Sequence, residues 1–169
     1  MPNHGGLTVQ PRARLLLAAA FVAILPLATM VSSEEATIWT ETSNGSLTTL
    51  SYGPLDPAKS PLFALSCFGD MSIVVLDVLK EIPGAKPGDP LTIELSSGKA
   101  QSPVKGEVGK NETTGTTFGE ASDVNVKPML EVLRDPGPLT VKMGEASATL
   151  SEQGRAESVA KFVENCKLD

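Results

Sequence analysis

The sequence predicts a mainly β domain of the α+β class, either an antiparallel sandwich or a curved sheet, with a short helix and a C-terminal helix packed on it. Two observations predict this class. Short runs rich in β-branched and apolar residues recur along residues 36–150, separated by Pro, Gly, Asn and Asp turn signals. A sustained helical period comes only at the end of the chain, in residues 151–167.

The first four predicted strands form two hairpins and cover residues 36–42, 47–52, 62–68 and 71–79. The first hairpin turns at the Asn-Gly-Ser sequence of residues 44–46, and the second turns at Gly69-Asp70. Between the hairpins, residues 53–61 contain three prolines and are therefore predicted to be a surface loop.

The two strands of the second hairpin differ in side-chain pattern. Cys67 shares one face of its strand with Phe63 and Leu65, so its thiol points at the predicted core. The following strand is apolar on both faces, which is typical of a central strand. Asp77 is its only carboxylate and is a candidate functional acid. The alternative is a structural carboxylate near a strand end that accepts hydrogen bonds from backbone amides.

The later strands are less regular. Residues 91–95 alternate between apolar and polar side chains and predict one strand. Residues 97–120 are rich in Gly, Ser, Thr and Lys, and they predict two short exposed strands around a mobile turn at residues 109–111. A final hairpin around a glycine pairs residues 139–141 with 146–150.

Two helices complete the predicted fold. Apolar residues recur at helical spacing in residues 128–134, which predicts a short helix with a proline in its first turn. The C-terminal helix is predicted to be capped by Ser151 and to run to about Lys167. Its core-facing stripe is predicted to contain Ala156, Val159, Ala160, Val163 and Cys166, with Phe162 at the margin.

Residues 1–33 predict a signal peptide. A segment with two arginines precedes an apolar run from Leu15 to Leu27, and small residues follow that run. The run is shorter than the roughly 20 residues that span a membrane, so cleavage before Glu34 is expected, and an uncleaved signal anchor is the alternative. Both interpretations place residues 34–169 beyond the membrane as one periplasmic or secreted domain.

The composition of residues 34–169 limits the function. All 20 acidic residues but only 12 of the 14 basic ones lie in this range, a net charge of −8, which disfavours nucleic acid and anionic membranes as partners. The single histidine, His4, lies in the predicted signal peptide, so no imidazole is left for a catalytic triad or a metal site. We therefore expect no cofactor, no metal and no stable membrane insertion of the mature domain.

Two cysteines, Cys67 and Cys166, are predicted to form a disulfide. An exported chain meets an oxidising compartment, and both side chains point at the predicted core. A zinc site would need about four ligands, and a redox motif would need a Cys-x-x-Cys spacing. The alternatives are two buried free thiols and an intermolecular bridge.

Catalytic motifs are not well supported in this chain. The Ser-x-x-Lys spacing of serine–lysine acylases occurs three times, but only Ser158 and Lys161 lie on a predicted helix, and the partner motifs of those enzymes are missing. No phosphate-binding loop or calcium loop is found either. Asn44 and Asn111 begin glycosylation sequons, which matter only in a host that glycosylates.

The single tryptophan and the single tyrosine, Trp39 and Tyr52, lie on the two strands of the first predicted hairpin. Two interpretations stay open for this pair. The rings form an exposed recognition patch, since aromatic side chains dominate many binding surfaces. Alternatively they form an aromatic pair in the core, which burial statistics favour.

The order of several short motifs carries a resemblance. Trp39 is followed by Tyr-Gly-Pro at 52–54, Phe-Ala-Leu-Ser-Cys at 63–67, Leu-Thr-Ile-Glu-Leu at 91–95 and a late helix ending in Phe-Val-Glu-Asn-Cys at 162–166. The chain resembles small exported proteins of unknown function from Gram-negative, especially alphaproteobacterial, bacteria. Its layout is also similar to that of the VasI-like proteins associated with type VI secretion. The resemblance implies an exported protein with a strand cysteine and a C-terminal helical cysteine.

The expected function is a non-catalytic periplasmic or secreted domain that binds a partner, most simply another exported or envelope protein. An acidic, disulfide-closed β domain without histidine carries this expectation. Two alternatives stay open. One is an inhibitor of a secreted hydrolase, for which residues 53–61 or 105–120 would be the protruding loop. The other is a hydrolase that uses carboxylates or a serine–lysine pair.

Overall fold

Nine strands and two helices make up the part of the chain that this computed structural model describes, residues 36–69 and 73–168. In chain order they are β1 Thr37–Asn44, β2 Leu47–Pro54, β3 Phe63–Phe68, β4 Ile73–Val78, β5 Pro90–Ser97, β6 Ala100–Lys110, β7 Thr117–Ala121, α1 Val126–Arg134, β8 Leu139–Met143, β9 Ala146–Leu150 and α2 Arg155–Cys166. They belong to one compact unit, Glu34–Asp169. The predicted signal peptide, residues 1–33, lies outside the described residues.

All nine strands join one antiparallel sheet in the order β1-β2-β3-β4-β7-β6-β5-β8-β9. The predicted mainly β class with a short helix and a C-terminal helix is confirmed, and the architecture is a single sheet rather than a sandwich of two. Six of the eight neighbour pairs join strands that are consecutive in the chain. The other two pairs join strands that are not consecutive. The β4–β7 pair joins the half of the sheet that contains β1 to β4 to the half that contains β5 to β9, and the β5–β8 pair joins the last hairpin, β8 and β9, to β5.

The sheet is strongly curved. Nine strands in a flat sheet would hold the two edges roughly 38 Å apart, because neighbouring strands lie about 4.8 Å apart. Here the indole Nε1 of Trp39 on β1 donates a hydrogen bond of 2.6 Å to the carbonyl oxygen of Ser151, directly after β9. Gly119 on β7 also faces β8 so closely that a Cβ at this position would collide with Sδ of Met143. The sheet therefore curls until its two edges approach each other.

The concave face of the sheet holds the hydrophobic core and both helices. Helix α2 packs on β1 and β2, helix α1 packs on β5 and β6, and the two helices contact each other. The apolar side chains of all these elements form one cluster. The largest fully buried ones are Phe63, Phe162, Leu50, Leu65, Leu76, Ile93, Leu95, Met129, Leu133, Leu139, Met143 and Leu150.

Helix α2 is fastened to the sheet at both ends. At its C-terminal end Cys166 forms the predicted disulfide with Cys67 on the concave face of β3, with a Cα–Cα distance of 6.1 Å. At its N-terminal end the buried Arg155 donates from Nη2 to the carbonyl oxygens of Asp135 and Gly137 and, at 3.2 Å, to the hydroxyl of Ser97. The disulfide ties α2 to the half of the sheet that contains β3, and Arg155 ties it to the half that contains β5.

The predicted start of α2 is wrong. The helix begins at Arg155 after the N-cap Gly154, and Ser151 does not cap it. The backbone groups of Ser151 serve another purpose: its N–H donates to the hydroxyl of Tyr52, and its carbonyl accepts from Trp39. The chain must stay extended past β9 to make these bonds, so the helix cannot start earlier.

The predicted core stripe of α2 is rotated in the structure. Ala156 and Ala160 are exposed, whereas Phe162 is fully buried and not marginal. Val159, Val163 and Cys166 are buried as predicted. Burying a phenyl ring removes far more apolar area from water than burying two methyl groups, so the helix turns to the orientation that places Phe162 in the core.

Two turns differ from their predictions. In the second hairpin Phe68 pairs with Ile73, whereas a two-residue turn at Gly69-Asp70 predicts that it pairs with Met71. Residues 70–72 lie outside the described residues. The turn predicted at 109–111 is also displaced, because β6 runs on to Lys110 and the chain reverses only at 111–116.

Candidate functional site

The two aromatic residues predicted from sequence lie in the core. Trp39 is 2% exposed and Tyr52 is 6% exposed, and their ring centroids are 5.3 Å apart at an angle of 51°. The ring of Phe63 also packs against Trp39 at 5.3 Å. Trp39 and Tyr52 are therefore core residues, not an exposed recognition patch, and Trp39 donates a hydrogen bond to Ser151 while Tyr52 accepts one from it.

The serine–lysine pair does not converge. Ser158 is buried on the core side of α2, whereas Lys161 is exposed and donates a 2.7 Å hydrogen bond to Glu157. The bond holds the pKa of Lys161 above its usual range, which is the opposite of what a catalytic base at neutral pH needs. This pair gives no support to a hydrolase.

The convex outer face of the sheet brings three carboxylates side by side. Asp77 on β4 lies directly across from Glu120 on β7, and Glu120 lies directly across from Glu107 on β6. Directly paired residues of an antiparallel sheet point to the same face with Cβ atoms about 5 Å apart. We call Asp77, Glu120 and Glu107 the acidic row. Among ion pairs that join two described residues, none includes a member of this row.

A cleft of about 310 Å³ lies next to the acidic row, where the strand ends meet two loops. Leu79 and Phe118 line it, and each is two positions from a member of the row, Asp77 and Glu120 respectively. Side chains two positions apart in an extended chain point to the same face. Asp77 and Glu120 therefore share the face of Leu79 and Phe118 and lie beside the cleft. The full lining of this outer cleft is Ser60, Leu79, Glu81, Asn111, Thr114, Thr116, Thr117 and Phe118.

Local structure fixes both walls of the outer cleft. The Oδ1 of Asn111 accepts hydrogen bonds from the backbone N–H groups of Thr113 and Thr114 at 2.9 and 3.0 Å, which closes the 111–116 turn. The ring of Phe118 lies over Gly109 on β6, where a side chain would leave no room for it. On the other side, the hydroxyl of Thr117 bonds both backbone groups of Ile82. The cleft is thus formed before any ligand binds.

Asp77 has a strongly perturbed acidity. Burial, and secondly the charge of Glu120, raise the pKa of Asp77 from the ordinary 3.8 to about 6. Its outward neighbours explain the burial, because Val75 on the same strand and Ala64 across on β3 are apolar. At neutral pH the face therefore presents two adjacent negative charges next to apolar surface, an arrangement that attracts a cation with an apolar body.

The outer face continues from the acidic row into an apolar patch formed by Leu47, Phe68, Ile73 and Val75. Leu47 pairs with Phe68, and Phe68 pairs with Ile73, so three of these side chains form one row across β2, β3 and β4. Leu47 is 37% exposed, and the other three are half-buried. Neither helix covers these side chains, because both helices pack on the concave face.

The sequence pattern marks Asp77 but not the two carboxylates that line up with it, Glu120 and Glu107. Glu120 and Glu107 lie in the region 97–120, which has few apolar side chains to mark the strand faces. The only available signal was the alternation of Phe118 and Glu120 with small residues along β7. Even with that signal, the pairing of β4 with β7 joins segments more than 40 residues apart and could not be read from local sequence.

Other site predictions can be placed as well. Asn44 is exposed at the first hairpin turn, and Asn111 is partly buried in the wall of the outer cleft. In the described part of the chain, no group of three or more His, Cys, Asp or Glu side chains is arranged to hold a metal ion. The helices of that part are also too short or too polar to cross a membrane.

Comparisons with known protein families, with curated proteins and with solved structures find no match for this chain. The resemblance to VasI-like proteins stays a prediction.

Proposed function

We propose that this protein is an exported, non-catalytic domain that binds another exported or envelope protein through the outer face of β3, β4 and β7. The observation that carries the proposal is the outer cleft beside the Asp77 and Glu120 carboxylates, neither of which forms an ion pair with another described residue. A preformed cleft with apolar and polar lining and a perturbed acid next to it has the usual composition of a binding site.

The apolar part of the surface supports binding to a protein rather than to a small polar ligand. The apolar patch and the floor of the outer cleft lie on either side of the acidic row, so the whole face alternates apolar, acidic and apolar. Protein interfaces combine an apolar centre with a polar rim in this way.

The charge of the surface specifies the partner further. Residues 34–169 have a net charge of −8, and the acidic row concentrates three negative charges in one place. A complementary partner presents Lys or Arg side chains next to apolar groups, because the cation then relieves the repulsion between Asp77 and Glu120. An arginine or lysine whose stem lies on Leu79 and Phe118 would reach the carboxylates.

Export is supported by the disulfide and by the predicted signal peptide. Disulfides form and persist outside the cytosol, and the Cys67–Cys166 bond spans 99 residues of the chain. A protein released into the periplasm or medium meets no reducing system that would break it. The bond thus suits a durable binding scaffold in an oxidising compartment.

Affinity capture with matched variants tests the proposal. The oxidised protein is immobilised and exposed to an extract of exported proteins, in parallel with the double variant Asp77→Asn/Glu120→Gln. The control is Glu94→Gln, which removes an exposed carboxylate from the other half of the same face. We expect one or more basic proteins to be retained by the wild type and by the control, released by raised salt, and reduced at least tenfold with the double variant. Equal recovery with all three proteins would refute the proposal.

A second candidate function, inhibition of a secreted hydrolase, is favoured by one loop. Leu55 is 61% exposed at the start of the loop between β2 and β3. The loop is braced, since Asp56 accepts the backbone N–H groups of Ala58 and Lys59 at 3.0 Å, and Gly53 packs against Pro61. A rigid loop with an exposed leucine suits insertion into an enzyme's specificity pocket. Residues 105–110 belong to strand β6, so the second predicted loop shrinks to 111–116.

An inhibition assay distinguishes this candidate from the first. Secreted proteases and glycosidases are assayed with wild-type protein and with Leu55→Ala. Inhibition that is lost in Leu55→Ala and kept in Asp77→Asn/Glu120→Gln would favour the loop. Inhibition of none of the enzymes would count against it.

A further inference from the structure

The two edges of the curled sheet are protected very differently. On β1, the backbone N–H of Trp39 meets the carbonyl oxygen of Gln153 at 3.5 Å. Further along β1, the side chain of Asn165 on α2 donates to Glu41 and Ser43 at 3.1 and 3.3 Å. The β1 edge is thus covered by the chain segment after β9 at one end and by α2 at the other.

The β9 edge has no such cover in the part of the chain that the structure describes. Strand β8 is the only element with extensive contacts to β9. The strand reads Ala-Ser-Ala-Thr-Leu, with no charged residue and no proline, and it pairs with β8 in unbroken register without a bulge. Charges, prolines, bulges and covering elements are the means by which proteins block an exposed edge. None of these four is present on β9.

The hairpin register identifies the backbone groups that face outward. Met143 pairs with Ala146 across a two-residue turn, and this closing pair is hydrogen-bonded in such hairpins. Hydrogen-bonded and non-hydrogen-bonded pairs then alternate along an antiparallel ladder. Ser147 and Thr149 therefore direct their N–H and C=O groups away from β8, and both residues are exposed.

We propose that β9 binds an extended segment of a partner protein as a tenth, antiparallel strand of this sheet. Four unsatisfied backbone groups at Ser147 and Thr149 recognise a main chain, whatever its sequence. Three side chains of β9 face the core: Leu150 is fully buried, whereas Ala146 and Ala148 are small and Ala148 is only partly buried. An added strand with bulky apolar side chains at alternate positions would cover them and bury apolar area.

A second copy of this chain fits the edge less well than a different protein does. Antiparallel pairing of two β9 strands would place Ala148 next to Ala148 and Ala146 next to the already buried Leu150, and so bury little additional apolar surface. It would also bring together two domains that each carry a net charge of −8. The occupant that the edge favours is therefore a neutral or basic partner segment with alternating large apolar residues.

This proposal concerns a different surface from the proposed function and can fail independently of it. The β9 edge lies at one margin of the sheet, whereas the outer cleft and the acidic row lie on β4, β7 and β6 in its middle. The variant Asp77→Asn/Glu120→Gln is expected to bind strand-like peptides as the wild type does.

A peptide library provides the probe. A library of random decapeptides displayed on phage is selected on the oxidised protein, and the enriched peptides are synthesised. Binding is measured for the wild type, for Ser147→Pro and Thr149→Pro, and for Ser147→Ala and Thr149→Ala. Proline removes only an outward N–H at these two positions and is tolerated on edge strands, whereas alanine keeps the backbone donor. Melting temperature and the oxidised disulfide serve as folding controls.

We expect enriched peptides to carry large apolar residues at alternate positions and to lose at least tenfold in affinity for each proline variant but not for the alanine variants. Amide hydrogen exchange of Ser147 and Thr149 should slow at least tenfold when peptide is bound. The proposal is overturned if no peptide is enriched, if a bound peptide leaves these two amides unprotected, or if their protection rises with protein concentration alone, which would show a β9–β9 dimer.

Discussion

Two cross-strand pairs on the outer face of the sheet use opposite electrostatics. Glu94 on β5 lies across from Lys142 on β8, and the pair forms an ion pair of 3.8 Å with both side chains more than half exposed. Asp77 on β4 lies across from Glu120 on β7, and this pair consists of two carboxylates. The two pairs occupy equivalent positions on one sheet, so they can be compared directly.

The difference separates a stabilising ion pair from the like-charge pair of the proposed binding surface. Opposite charges facing each other across strands stabilise a sheet by about 0.2–1 kcal/mol, and like charges destabilise it by a similar amount. The exposed Glu94–Lys142 pair follows this rule. The Asp77–Glu120 pair breaks it next to apolar side chains, where repulsion is screened least, and this repulsion is what a cationic partner would relieve.

The two halves of the sheet also differ in how they are attached to α2. The half with the acidic row is attached through Cys67–Cys166, a covalent bond that keeps β3 in place. The half with the ion pair is attached through hydrogen bonds from Arg155 to Ser97 and to the chain after α1. The half with the like-charge pair thus has the covalent attachment.

The largest effect is expected from removing the disulfide. The bond closes a loop of about 100 residues, for which the chain-entropy model gives roughly 4.7 kcal/mol of free energy of unfolding. A Cys67→Ala/Cys166→Ala variant, or the reduced protein, should melt at least several degrees lower than the oxidised protein in calorimetry. An unchanged melting curve would show that the attachment of this half does not depend on the bond.

The next effect concerns the polar attachment. Arg155→Met keeps the apolar stem but removes the guanidinium that donates to the hydroxyl of Ser97 and to the carbonyls of Asp135 and Gly137. The single hydroxyl proton of Ser97 can satisfy only one of these carbonyls, so a cost of about 3 kcal/mol is expected. Urea denaturation of the oxidised variant measures this loss. Arg134→Met, a substitution of a neighbouring arginine that is exposed, is the matched control and should change stability by less than about 0.5 kcal/mol. Equal losses in the two variants would contradict the assigned role.

The like-charge pair should make stability depend on pH in a defined window. The pKa of Asp77 is about 6 in the folded protein and near 3.8 when unfolded, so the folded state binds its proton more tightly. Its contribution to stability is fully present below about pH 4 and is lost as the pH rises through 6. Asp77→Asn should remove this dependence and raise stability at pH 7 by about 1 kcal/mol, after allowance for solvent screening.

Denaturation of the wild type and of Asp77→Asn between pH 4 and pH 8 checks this prediction. The two stability curves should converge towards pH 4, separate as the pH rises to 6 and stay apart above it. Parallel curves across the whole range would show that neither burial nor the charge of Glu120 raises the pKa of Asp77 in the folded protein.

The smallest effect is expected from the attractive pair. Lys142→Gln removes the ion pair with Glu94 and should lower the free energy of unfolding by less than about 0.5 kcal/mol, because both side chains are exposed. The loss should vanish at 1 M NaCl, where charges are screened within about 3 Å. A loss as large as the gain in Asp77→Asn would remove the distinction between the two halves.

Local sequence patterns predicted most of the elements. Three hairpins were predicted from the Asn-Gly turn, from the alternation in β3 and from the apolar runs on either side of Gly144. Turn residues and period-two burial act over a few neighbouring positions, so they can be recognised locally. Cys67 could be placed on the core face for the same reason. The role of Ser151 could not be predicted locally, since it depends on hydrogen bonds to Trp39 and Tyr52, about 100 residues away in the chain.

The candidate site was predicted only in part. Asp77 stood out because it is a carboxylate in an apolar strand, and its perturbed acidity follows from that environment. Glu120 and the outer cleft did not stand out, because both arise from the contact between β4 and β7. The orientation of α2 was likewise misjudged at Ala156, Ala160 and Phe162, since competition for core volume is a property of the whole fold.

The sequence by itself determined the mainly β class, the pairing of Cys67 with Cys166 and the absence of histidine from residues 34–169. These follow from composition and from interactions between near neighbours in the chain. The tertiary structure decided that the nine strands form one curled sheet, that Asp77 faces Glu120 and that β9 is an edge strand of this sheet. Strand order depends on contacts between distant segments, whose entropy of loop closure must be overcome by packing that no local pattern encodes.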